Sequence, residues 1–167
     1  MKTIPKKNYA ILAVIIFITI FLVFYMRNWY IMTKEYNSDN SPMLKSINEI
    51  NSNEISNYVL ENPRFILYTS SGLNKNIKGF ESKFKGYVLN KNLKDYMIYI
   101  NTATADLDNL KTILENYTSE NNNINLNDNV NMYIFENGKI VKIITKAENQ
   151  DTKSIEQVFK KYGVIDA

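Results

Sequence analysis

Residues Tyr9 to Met26 read YAILAVIIFITIFLVFYM, eighteen consecutive positions without a charge. No other feature constrains the fold so strongly. At 1.5 Å rise per residue the run makes roughly 27 Å of helix, near the thin end of what spans a bilayer. Lipid offers the backbone no hydrogen-bond partner, so a spanning segment must pair its own N–H and C=O groups, which imposes a helix even on β-branched Ile and Val. Tyr9 at one end and Tyr25, Trp29 and Tyr30 at the other stand where interfacial anchors belong. Lys2, Lys6 and Lys7 precede the run, so the positive-inside rule places residues 1–8 in the cytoplasm and the rest of the chain outside. The stretch YMRNWYIM is too bulky for signal cleavage, so an uncleaved single-pass anchor at 9–26 is expected. Polar TKEYNSDNSP then reads as part of a tether over 27–45, leaving 46–167 as one exterior domain.

Charge supports this division. The formal charge is +3, but Lys2, Lys6, Lys7 and Arg27 all lie beside the apolar run, leaving sixteen Lys and Arg against seventeen Asp and Glu from Asn28 onward. A nucleic-acid-binding domain concentrates positive charge on the binding surface, so nucleic acid is not an expected partner. Asn, Lys and Ile are abundant, as in proteins of AT-rich bacterial genomes, which makes a lone Asn or Lys a weak functional marker. The chain has no Cys and no His. Thiolate nucleophiles, disulfide exchange, imidazole acid–base chemistry and Cys/His metal sites are therefore excluded. Neither a metal nor a cofactor is expected.

The exterior segment reads as alternating helices and strands. Ile47, Ile50, Ile55, Tyr58 and Val59 recur at mostly helical spacing, predicting a helix over Ser46–Glu61 that stops before Pro63. RFILYT (64–69) predicts a buried strand, and Ser70 to Asn76 a connection turning at Gly72. Ile77, Phe80, Phe84, Tyr87 and Val88 form a second helical stripe. DYMIYI (95–100) predicts another strand, and Leu107, Leu110, Ile113, Leu114 and Tyr117 a third helix capped by Asp106. A polar loop from Thr118 to Asn129 includes the Asn-rich run 120–123. Val130–Phe135 and Lys139–Thr145 flank Glu136-Asn137-Gly138, a strong hairpin signal. Asp151 or Thr152 caps a last helix carrying Ile155, Val158, Phe159 and Tyr162. Two helical crossovers require parallel neighbours and the hairpin adds antiparallel ones. The expected fold is α/β: a four-stranded mixed sheet flanked by helices, preceded by the transmembrane helix.

This order resembles the thioredoxin superfamily, and individual residues carry the resemblance. Members often read strand, then Ser-x-x-Cys-x-x-Cys-x-x-Phe-Glu. In RFILYTSSGLNKNIKGFE, Ser71, Phe80 and Glu81 fall in register, putting Asn74 and Ile77 at the cysteine positions. NVNMYIFENGKIVKII resembles the hairpin that follows the family's cis-proline, with Val130 at the proline position behind Asn129. The resemblance spans Ile47 to Gly163 and implies a thioredoxin-like fold with a shallow groove between the 70–76 loop and the Val130 strand end. Relatives bind extended peptide in that groove. Redox activity does not carry over, because Asn74 and Ile77 have no thiolate chemistry. A trans peptide is expected before Val130, since a non-proline cis bond costs about 2.5–4 kcal/mol.

The candidate interaction residues are accordingly Ser70, Ser71, Asn74, Lys75, Ile77, Asn129 and Val130, with no catalytic residue assigned. The ordinary reading of this loop is a capped helix, Asn74 being a good cap residue, and it outweighs a binding role. Asp106 and Asp108, two apart at a helix start, fit capping better than metal binding. Glu81 lies either on a solvated face or in a buried ion pair. The chain is thus expected to be a non-enzymatic, membrane-held domain that contacts another envelope or membrane protein, the resemblance implying an accessory role in export or bacteriocin systems as one setting. Two alternatives compete with that expectation. One is an enzyme or redox accessory using Ser70, Lys75 or Glu81 in the 70–81 region. The other makes the membrane helix itself the functional part.

Overall fold

The computed structural model describes residues 6–37, 40–118, 124–126 and 129–165. The Asn-rich run 120–123 and the first five residues lie outside them. Helix α1 spans Lys6–Asn37, and within it Asn8–Thr33 is apolar and long enough to cross a membrane, with none of its most apolar window buried against the protein. The helix therefore runs well past Met26 into the expected tether. Backbone that has already paired its first turns in lipid extends at little further cost, because only the nucleus of a helix is expensive.

The sheet has five strands rather than four, in the order β1-β3-β2-β4-β5. Strand β2 is Arg64–Ser70, β3 Met97–Asn101, β4 Asn131–Glu136 and β5 Lys139–Ile144. The additional strand, β1, is only Asn48–Glu49. It pairs parallel to β3 through Asn48 with Ile98 and Glu49 with Tyr99. The helix expected over 46–61 is correspondingly shortened to α2, Ile55–Glu61. Ile50 N–H donates to Tyr99 O at 2.9 Å, fixing the strand's exit. Asn51 N–H then donates to Glu54 Oε2 at 2.8 Å in a capping box that starts the chain turning again. Periodicity missed β1 because both of its side chains are exposed; its identity lies in backbone pairing alone.

The remaining boundaries move by a residue or two. The expected strand at Asp95 begins at Met97, after a 3-10 turn over Lys94–Tyr96. The strand expected from Val130 begins at Asn131. Strands β2 and β3 are parallel, while β4 is antiparallel to both β2 and β5. Asn137 (φ 51°) and Gly138 (φ 74°) both take left-handed conformations in the two-residue hairpin turn, as a turn matching the sheet's twist requires. Helices α3 (Lys75–Asn90), α4 (Leu107–Asn116) and α5 (Thr152–Lys161) complete the fold.

Strand alternation divides the core into two layers. Ile66 and Tyr68 of β2 pack with Ile77, Phe84 and Val88 of α3 and Ile155 and Phe159 of α5. Phe65 and Leu67 pack with Ile55 and Val59 of α2 and Leu110 and Leu114 of α4. The sheet is therefore covered by helices on both faces, as the near-continuous apolar run of β2 predicts.

Candidate functional site

The candidate residues gather where β2 ends and α3 begins. The Ser70 carbonyl accepts from Tyr99 Oη at 2.7 Å and Thr102 N–H at 3.0 Å. The Ser70 hydroxyl accepts from Gly72 N–H at 3.1 Å. Gly72 turns the chain at φ +64°, and a Cβ there would lie 2.6 Å from Ser41 Cβ and 2.8 Å from Ser41 Cα. Glycine is required twice over, for its dihedral and for this close approach. Asn74 then caps α3, its side chain accepting from Asn76 N–H at 2.8 Å. The candidate at position 74 thus serves as a helix cap.

The seven candidates separate by burial. Ser70, Ser71, Ile77 and Val130 are buried; Asn129 is half-buried; Asn74 and Lys75 are exposed. Ile77 and Val130 enter the same core layer. The last pair of the β2–β4 ladder is Thr69 with Asn131, so Ser70 and Val130 lie one step further at the same end. The Ser71 hydroxyl is buried without a hydrogen-bond partner among the described residues.

The Asn129–Val130 peptide is trans, as expected. Because Val130 is not proline it has an N–H, which donates to Glu148 Oε2 at 2.9 Å. Its carbonyl accepts from Ala147 N–H at 2.8 Å. The N–H is thereby engaged within the fold, so an extended peptide could not accept from Val130 without displacing Glu148.

Glu81 resolves as a buried group with no solvent exposure. Ser41 Oγ donates to Oε2 at 2.7 Å and Tyr68 Oη to Oε1 at 3.1 Å. Burial pushes the Glu81 carboxyl above its ordinary value, opposed by hydrogen bonds from Ser70, Ser41 and Tyr68 and by the charge of Lys78. Tyr68 is held well above the ordinary tyrosine value by burial and then by the Glu81 charge, so it remains a donor. Enclosed this way, Glu81 binds the fold together and is not positioned to take a proton from an outside molecule. Ser70 and Lys75 likewise diverge, the one buried with its hydroxyl on Gly72 and the other exposed.

Ser41 and Glu148 were not legible as site residues. Ser41 lay within the expected tether, but it opens a 3-10 turn, Pro42–Lys45, by accepting from Met43 N–H, with Pro42 at its start. The pair Ser41-Pro42 is the available signal, a cap residue followed by proline at the first helical position. Glu148 had no sequence signal. Asp106 caps α4 as anticipated, accepting from Asn109 N–H at 3.1 Å. Among the described residues no three His, Cys, Asp or Glu side chains gather as a metal site.

No protein-family model matches this chain, and no curated protein matches it significantly in sequence. The site must therefore be interpreted from its own geometry.

Proposed function

We propose that the chain is a non-catalytic, thioredoxin-like docking domain, anchored by α1 and held against the outer face of a bacterial membrane, where it works by contact with another membrane or envelope protein. The thioredoxin-like reading is supported by three parallel strands continuing into an antiparallel hairpin, in the order β1-β3-β2-β4-β5. It is supported also by the register of Ser71, Phe80 and Glu81. The observation that carries the non-catalytic reading is the fate of the family's reactive positions. Asn74 is spent on capping α3, while Ile77 and Val130 are core side chains. A site refilled with caps and core retains a surface and no reactive group.

Of the residues at this end Asn74 is exposed and Asn129 half-buried, while Val130 is committed to Glu148 and Ala147. Co-purification from native membranes tests the reading, comparing the wild-type chain with Asn74→Arg and Asn129→Arg variants. The expected result is loss of a specific partner from folded variants. Retention of every partner by both would remove the docking assignment from this end of the fold.

A further inference from the structure

We propose that the start of α3 rests on the headgroups of the bilayer in which the chain is anchored, with Leu73 at the interface and Lys75 and Lys83 paired with anionic lipid phosphates. Chain geometry confines this surface. The apolar span ends at Thr33 and α1 at Asn37. By Ser41 the chain is already fixed to the domain, through Glu81 and by its packing on Gly72. Eight residues separate Thr33 from Ser41, and with the first four helical the two lie no more than about 20 Å apart whatever course the other four take. The headgroup layer occupies part of the interval. Helix α1 contacts α3, and Ser41 bonds Glu81 of α3 and packs on Gly72 just before it, so α3 is the part of the domain brought to the membrane.

The chemistry of α3 fits that position. Lys75 and Lys83 are exposed and line the same recess, while the helix's one carboxylate, Glu81, is buried. Glu148 and Asp151 line the recess as well, each with one oxygen on a backbone N–H, Val130 for Glu148 and Ser154 for Asp151, and neither is ion-paired to Lys75 or Lys83 among the described residues. Between the lysines stands Gly79, with Gly86 following along the same stripe, and a Cβ on either would meet nothing within 4 Å. Nothing inside the fold requires these glycines, and their absent side chains leave the lysines clear to approach a flat surface. Leu73, two residues before Lys75, is an exposed apolar side chain, 58% accessible. Lysines around an apolar tip are the composition of interfacial segments on anionic membranes. The inference does not depend on which side of the membrane the domain occupies.

The absence of native cysteine makes the test direct. Leu73→Cys and, at the opposite end of β2, Leu60→Cys each accept a single polarity-sensitive fluorophore. The full chain is placed in nanodiscs of phosphatidylcholine, with or without phosphatidylglycerol. The expected result is a blue shift and quenching by lipid-borne spin labels at position 73 only with phosphatidylglycerol. That signal is lost in high salt and in Lys75→Glu/Lys83→Glu, and kept in Lys111→Glu, while position 60 does not respond. A label at 73 that stays water-exposed in both lipids overturns the proposal. So does one protected in native membranes but not in nanodiscs, which would assign the face to a protein.

Discussion

At the residue scale, Glu81 is the group on which most depends, because it joins the membrane-proximal segment to the domain. Glu81→Ala leaves the Ser41 and Tyr68 hydroxyls buried and unpaired, and costs about 3 kcal/mol; Glu81→Gln keeps an acceptor and costs about 1 kcal/mol. Denaturant midpoints of the solubilised chain measure both. The pH dependence has a definite sign. The unfolded carboxyl titrates near its ordinary 4.5, and burial raises the folded value. Between the two the native state binds more protons, so the Glu81 contribution falls as pH rises from about 4.5 through the folded pKa and is level above it. Subtracting the Glu81→Gln profile from wild type isolates this slope; a difference that rises with pH would contradict the assigned burial effect. Ser71 behaves oppositely to Glu81. Its hydroxyl has no partner, so Ser71→Ala is expected to be neutral or to stabilise by up to about 1 kcal/mol, read from the same midpoints.

At the element scale, α3 is shaped at its start by Asn74 and along its exposed face by two glycines. Asn74→Ala removes the cap and costs about 1 kcal/mol. Gly79→Ala and Gly86→Ala fill open space in a helix interior, and each is expected to stabilise the domain by about 1 kcal/mol. Thermal unfolding measures these changes, and loss of stability at Gly79 would show that something covers it. Gly72→Ala behaves quite differently, because a new Cβ would strike Ser41 backbone. It should free the segment around Pro42, seen as faster proteolysis between α1 and β1 than in wild type. Much of the element order was legible: the strands at 64–70 and 139–144, the 136–139 hairpin, the Asp106 and Asn74 caps and the stripe of α3 all carry local signals. Strand β1 was not, because two exposed residues have no period and only β3 makes them a strand.

At the scale of the whole molecule, eight residues of chain lead from the end of the apolar span at Thr33 to Ser41, where the chain is docked on the domain. The outward placement proposed for it can be tested with the same absence of cysteine. Leu60→Cys, 84% exposed, should react with a membrane-impermeant maleimide in intact cells. Labelling only after the membrane is opened would reverse the topology. The candidate site was half legible at this scale. The sequence located it at the β2–α3 junction, but it could not separate Asn74 and Lys75, which face out, from Ile77 and Val130, which face in.

What the sequence determined by itself were the properties set by local period and by chemical inventory. An uncharged run in lipid must be helical, alternating apolar positions must divide between two faces, and a chain without sulfhydryl or imidazole cannot perform their reactions. Only the tertiary structure decided how Glu81 is satisfied, that Ser41 closes over Gly72, and that Glu148 occupies the Val130 N–H. The hydrogen bonds among them join residues 13 to 40 positions apart. No local pattern encodes them, since each exists only because the folded sheet and helices bring those backbones to the same place.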